Sequence, residues 1–150
     1  MTRALSLKTR ALGYLARREH SRLELEKKLA PHAETPEELS SVLDGLEQRG
    51  FLSAVRLVEQ IMHRRKARFG SLRIVQELRE KGIEENLITA VLPDLREAEQ
   101  RSAYEVWRKK FGAIPADAKA FGRQTRFLLG RGFRPEVVCR VLQHSDKEEG

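Results

Sequence analysis

Three short basic runs carry most of the chemistry open to this sequence. "HRRKAR" (His63 to Arg68) sets Arg64, Arg65, Lys66 and Arg68 on about one and a half turns of a helix. "RKK" groups Arg108, Lys109 and Lys110, and "RR" joins Arg17 to Arg18. A further basic series, Arg123, Arg126, Arg131 and Arg134, follows near the C-terminal end. Clusters of this kind attract polyanions, either a phosphate backbone or a repeating acidic protein surface. The competing use is a solvated helix face whose cations complement helix C-termini. Recurrence at equivalent places along the chain favours a contact face. The whole chain leans the same way, with 29 Lys and Arg against 22 Asp and Glu, a net charge of +7 over 150 residues.

Other reactive residue types form no constellation. There is no phosphate loop, no HExxH, no CxxC and no serine or cysteine nucleophile motif. Carboxylates fall in helix-cap positions or beside basic residues, as in "ELEKKL" and "ELREKG", where local ion pairs on a solvated face suffice. His20, His32, His63 and His144 show no metal-ligand spacing. Cys139 is the only cysteine, so no intrachain disulfide can form; among Val137, Val138, Val141 and Leu142 it is expected as a small core residue. An enzyme is therefore not expected, nor a cofactor or metal. Phe69, Trp107 and Phe111 stand near the basic clusters, and helical spacing assigns them to the core before base stacking.

The elements that must position these residues read as helices throughout. Apolar residues recur at spacings of three and four: Leu7, Ala11, Leu15; Leu39, Val42, Leu43, Leu46; Val58, Ile61, Met62; Leu87, Ile88, Val91, Leu92. "SRLE" (Ser21 to Glu24) predicts a capping box, and "TPEE" (Thr35 to Glu38) a cap with proline at the first helical position. Asp94 and Glu97 in "DLRE" suggest another start, with Pro93 separating two helices. Gly50, Gly82 and Gly132 suit the left-handed position that closes a helix. No apolar run is long enough to span a membrane, and "MTRALSLKTR" lacks the apolar stretch of a secretory signal, so a cytoplasmic location is expected.

One helix is written twice. "KGIEENLITAVL" (Lys81 to Leu92) and "RGFRPEVVCRVL" (Arg131 to Leu142) match at an offset of 50. "KARFG" and "RKKFG" precede them at an offset of 42, leaving about eight extra residues around "AIPADAKA" in the last unit. A fainter copy matches Leu25, Leu29, Leu39, Val42 and Leu43 to Ile74, Leu78, Ile88, Val91 and Leu92 at an offset of 49. The expected fold is all-α: three tandem three-helix repeats, 1–49, 50–95 and 96–145, forming an elongated curved array, with a disordered tail at 146–150. Units this small bury little alone and must pack on their neighbours.

The chain resembles the RecX family of regulators of the RecA recombinase. Three motifs carry the likeness, in order and across almost the whole chain: "LARREHSRLELEKKL" (Leu15 to Leu29), "FGSLRIVQELREKGI" (Phe69 to Ile83) and "RFLLGRGF" (Arg126 to Phe133). It departs from the family where an acidic "GYLDD.RFA" segment is usual; here "GFLSAVRLV" (Gly50 to Val58) keeps Ser53 as a possible cap but not the acids. The resemblance implies tandem three-helix repeats and binding in the groove of the RecA–single-stranded-DNA filament. It also implies inhibition of RecA's ATPase, strand-exchange and coprotease activities, in DNA repair, recombination and the SOS response. The expected partners are the RecA filament and DNA, direct or within the filament, met by a monomer. The expected contacts are Arg17, Arg18, Arg64, Arg65, Lys66, Arg68, Arg108, Lys109, Lys110, Arg126 and Arg131. The alternative is a helical DNA-binding protein with no RecA dependence.

Overall fold

A computed structural model describes residues 5–148, with side chains described through residue 143. Its elements are α1 (Leu7–Arg17), α2 (Arg22–Leu29), a 3-10 turn (Ala30–His32), α3 (Pro36–Gln48), α4 (Ala54–Arg65), α5 (Ser71–Glu80), α6 (Glu85–Lys110), α7 (Ala118–Gly130) and α8 (Pro135–Glu148). No strand occurs among the described residues. The all-helical expectation therefore holds. Of the expected 146–150 tail, residues 149–150 lie outside the described residues.

Local signals start and stop these helices. Ser21 accepts from the Glu24 amide while Glu24 accepts from the Ser21 amide, which completes the capping box of α2. Thr35 caps α3 through the Glu38 amide, but the Glu38 carboxylate takes the amide of Glu34 rather than of Thr35. Ser53 accepts from the Arg56 amide at 3.2 Å, so it caps α4 as expected.

The chain gathers into two compact units, residues 1–60 with 79–83, and residues 61–78 with 84–150. Residues 50–95, expected as one repeat, are thus divided between them. In the first unit Leu7, Ala11, Leu25, Leu29, Leu39, Leu43, Leu46 and Leu52 form a core from α1, α2, α3 and the following turn. In the second, Ala103, Trp107, Leu128, Phe133, Val137, Val138, Val141 and Leu142 join α6, α7 and α8. Trp107 Nε1 donates to Gln124 Oε1 at 2.8 Å, and Gln124 donates to the Ala113 carbonyl at 3.1 Å. That pair ties the inserted segment to the core and satisfies the buried indole.

Two expectations fail here, both through packing. Pro93 does not separate two helices: α6 runs through it for 26 residues, and Asp94 lies inside rather than capping a start. Proline in a helix interior costs about 3 kcal/mol. Ile88, Leu95, Ala103 and Trp107 on one face of α6 are each buried, and each large one returns about 1.5–3 kcal/mol. Continuity of that buried face outweighs the lost hydrogen bond. The helices expected on either side of Pro93 are a single rod. Cys139, expected in the core, is exposed. Val137, Val138, Val141 and Leu142 form the buried stripe of α8, and the helical turn carries position 139 to its outer side.

The duplicated motif shows its purpose in the turns. Gly82 and Gly132 both have positive φ, 77° and 85°. A Cβ on Gly132 would collide with the Arg73 backbone at the start of α5. The close approach lets the Arg131 and Gly132 carbonyls accept from the Gly70 and Leu72 amides at 2.9 and 3.1 Å, filling free donors at that helix end. Glu99, 2% exposed on α6, supplies the rest. It accepts from the Ser71 amide and hydroxyl at 3.2 and 3.0 Å, and from the Arg134 amide and Nε at 3.0 and 2.7 Å. One buried carboxylate caps α5 and holds the entry to α8.

Candidate polyanion-binding groove

The turn that docks on α5 also brings basic clusters together. Arg131 projects from it over Phe69 and Phe127, its guanidinium carbon 5.2 and 5.3 Å from the two ring centroids. Its Nη1 donates to the Arg68 carbonyl at 3.4 Å. Phe69 also carries Arg73 at 4.3 Å and Arg65 at 5.4 Å. Phe127 carries Lys110 at 5.3 Å and meets Phe111 edge-on at 5.5 Å. The result is a ladder of cations and rings, each cation drawn to the negative face of an aromatic ring.

Beside this ladder lies a groove of about 400 Å³, lined by Arg68, Glu105, Val106, Lys109, Lys110 and Phe127, with Ala67 and Arg131 completing it. Arg68, Lys109, Lys110 and Arg131 have no carboxylate within salt-bridge distance among the described residues. The one acid in the wall, Glu105, is engaged by Arg108 at 3.1 Å. Four unneutralised cations on one concavity make a strong local positive potential, which low-dielectric walls concentrate.

The expected contacts divide accordingly. Arg68, Lys109, Lys110 and Arg131 converge on the groove. Arg108 is spent on Glu105, and Arg65 on Glu77 at 3.2 Å. Arg64 and Arg126 are exposed outside the groove lining. Lys66 instead lines a separate recess with Asp94, Glu97 and Arg101, where acids offset its charge. Arg17 and Arg18 belong to the other unit. Arg17 is exposed, whereas Arg18 bonds Glu24 at 2.7 Å.

Charges in that first unit are arranged to cancel. Burial pushes the Glu24 carboxyl up, but Arg18, the Ser21 amide and Lys81 outweigh it and hold it at about 2. His20 is 2% exposed, and burial lowers its pKa below the usual value. It bonds the Arg18 carbonyl through Nδ1 at 3.0 Å and Lys28 Nζ through Nε2 at 2.9 Å. Lys28 can only donate, so Nε2 accepts and Nδ1 carries the proton.

Sequence reasoning missed Arg73, Phe127 and Glu99. Phe127 sits inside the motif "RFLLGRGF", four residues before Arg131, so helical proximity was a usable signal. Nothing local marks Glu99 as buried. Phe69 and Phe111 are half-buried at the edge of the ladder, while Trp107 is core as expected.

Family models for RecX describe the second three-helix domain over residues 55–92 and the third over 97–142. The regulatory protein RecX of Leptothrix cholodnii is 54% identical over 144 residues, 96% of this chain and 92% of that one. That of Ralstonia nicotianae is 46% identical over 142 residues, 95% and 89% of the two chains. A crystal structure of RecX from Lactobacillus salivarius superposes with a TM-score of 0.80 at 19% identity, covering 93% of this chain and 94% of that one, a likeness of fold.

Proposed function

The chain belongs to the RecX family of regulatory proteins, and from that premise we propose that it regulates the RecA recombinase. It binds the RecA–single-stranded-DNA filament and lowers its ATPase, strand-exchange and coprotease activities. It acts as a cytoplasmic monomer in DNA repair, recombination and the damage response. The observation that carries the reading is identity above 45% to regulatory relatives along nearly the whole chain. The groove supports it physically, since a filament offers a polymer of phosphates and repeated protein surface to a cationic concavity. Several weak contacts along one polymer act together as a strong one. No helix among the described residues is long and apolar enough to cross a membrane.

The four acid-free cations also favour a second reading, direct DNA binding with no RecA requirement. Titration into a RecA ATPase assay on single-stranded DNA separates the two, run beside binding to bare DNA at two salt concentrations. Inhibition well below one protein per RecA protomer, with weak binding to bare DNA, supports filament regulation. Inhibition only once bare DNA is saturated overturns it in favour of simple competition.

A further inference from the structure

Helix α7 carries a second surface, outside the groove. Its 13 residues include Lys119, Arg123 and Arg126 and no carboxylate. The acid just before it, Asp117, is occupied in capping the helix, accepting from the Ala120 amide at 2.8 Å. None of the three cations has a carboxylate within salt-bridge distance among the described residues. Beside this row of charge runs an apolar one. Phe121 is 49% exposed and Leu129 41% exposed, with the half-buried Thr125 midway between them at four-residue spacing. The two apolar residues stand about 12 Å apart along the axis. Gly122 leaves a notch at the edge of this stripe, and Arg126 lies over it: a Cβ on Gly122 would stand 3.1 Å from Arg126 Nη1. Phe127, which lines the groove, and the buried Gln124 and Leu128 occupy other faces of the helix. Apolar side chains scattered singly over a surface need no explanation. Two on one stripe, flanked by three unneutralised cations, form an ordered amphipathic face.

We infer that the outer face of α7 docks an acidic protein segment that carries apolar anchors. Phe121 and Leu129 take the apolar side chains of an amphipathic helix, and carboxylates along one flank of that helix meet Lys119, Arg123 and Arg126. The face matches this combination in both parts. Apolar and aromatic contact at the centre supplies affinity, and complementary charge at the rim selects the partner and sets its register. A nucleic acid satisfies the cations and offers a base to Phe121, but its sugar–phosphate chain gives Leu129 no apolar partner. A purely acidic stretch leaves both apolar side chains in water. An anionic bilayer takes a helix whose apolar face is large, whereas Gly122 and Thr125 leave this one with two deep contacts only. Arg126, set over Gly122, lines the stripe with its aliphatic stem while its head meets a carboxylate. The inference stands apart from the proposed function, since it needs neither RecA nor the groove.

The test is fluorescence anisotropy of the full chain with a labelled helical peptide bearing leucines at i, i+4 and i+7 and glutamates along one flank. A scrambled peptide of the same composition, oligothymidylate and phosphatidylglycerol vesicles are the comparison probes. The expected result is binding of the designed peptide about tenfold or more tighter than the scramble. F121S/L129S should erase that preference and leave oligothymidylate binding unchanged. K119E/R123E/R126E should weaken the designed peptide about tenfold or more. All five side chains are exposed, so both variants should keep the parent's helical circular dichroism. Equal binding of peptide and scramble overturns the proposal, because charge alone then accounts for the contact. Unchanged peptide binding in either variant overturns the outer face of α7 as the site. Loss of oligothymidylate binding in F121S/L129S overturns it in favour of a nucleic acid. Vesicle binding that the same double variant abolishes overturns it in favour of a membrane surface.

Discussion

Lys81 and Arg131 occupy the same place in two copies of one motif, and they do different work. Each precedes a glycine of positive φ, then a buried apolar residue, Ile83 or Phe133, then a helix. Lys81 meets a carboxylate: its Nζ lies 3.3 Å from Glu24 Oε1. Arg131 meets rings instead and keeps its charge unneutralised. The first copy uses its cation to close an internal ion network, the second to present it. The difference teaches that a repeated backbone device fixes where a charge emerges, while neighbours from other segments decide whether it remains available.

The acids that steady the two copies differ as well. Glu24 is partly exposed, whereas Glu99 is buried and serves Arg134 and two helix starts together. Glu99→Ala should therefore have the largest effect on this comparison. Removing one side of a buried, fully bonded pair costs about 3–5 kcal/mol, and denaturant unfolding should show the loss while Glu24→Ala loses far less.

Next come the glycines. Gly132→Ala combines a left-handed backbone, costing about 1–2 kcal/mol, with a collision against the Arg73 backbone that adds about 1–3 kcal/mol. At Gly82 the atoms met are Leu23 side-chain carbons at 3.0 Å, which can turn aside. Gly82→Ala should cost about 1–2 kcal/mol, the backbone part alone. Equal midpoints for the two variants in urea would mean that the second turn is no more tightly docked than the first.

A pH titration sharpens the contrast further. The Glu24 carboxyl sits at about 2 when folded, below its ordinary 4.5. As pH falls from 4.5, the unfolded chain takes up this proton first, so the stabilisation is whole above 4.5 and is lost on the way down to 2. Solvent screening leaves about 1 kcal/mol at stake. Stability measured from pH 6 to pH 3 should fall more steeply in the parent than in Glu24→Gln.

The smallest stability effect belongs to the cations themselves. Lys81→Ala should cost about 0.5–1 kcal/mol and leave phosphate-oligomer affinity unchanged. Arg131→Ala should reverse the pattern, with affinity lost and the unfolding midpoint little moved. Parallel thermal melts and anisotropy titrations on the two variants check this, and matching behaviour would erase the distinction.

Much of the fold was legible because its signals are short-ranged. The capping box at Ser21, the Thr35 cap and the glycine turns at 50, 82 and 132 each depend on residues within about one helical turn. The site was legible only as a surplus of candidates. Charge clustering named eleven residues, and four converge on the groove. Arg18 and Arg65 could not be set aside from spacing alone, because Glu24 and Glu77 reach them only in the folded chain, whereas Glu105 stands one helical turn before Arg108 and that pairing was legible.

By itself, then, the sequence determined an all-helical chain, its repeated motif, most helix ends and its family. Hydrophobic period and capping are written in contiguous residues, and the chain's neighbours in space hardly alter them. Tertiary structure alone decided that α6 passes through Pro93, that Cys139 faces outward and that Glu99 is buried. It also decided which cations remain unneutralised. These outcomes depend on burial and on long-range partners, whose energies of several kcal/mol exceed local propensities of about 1 kcal/mol or less per residue.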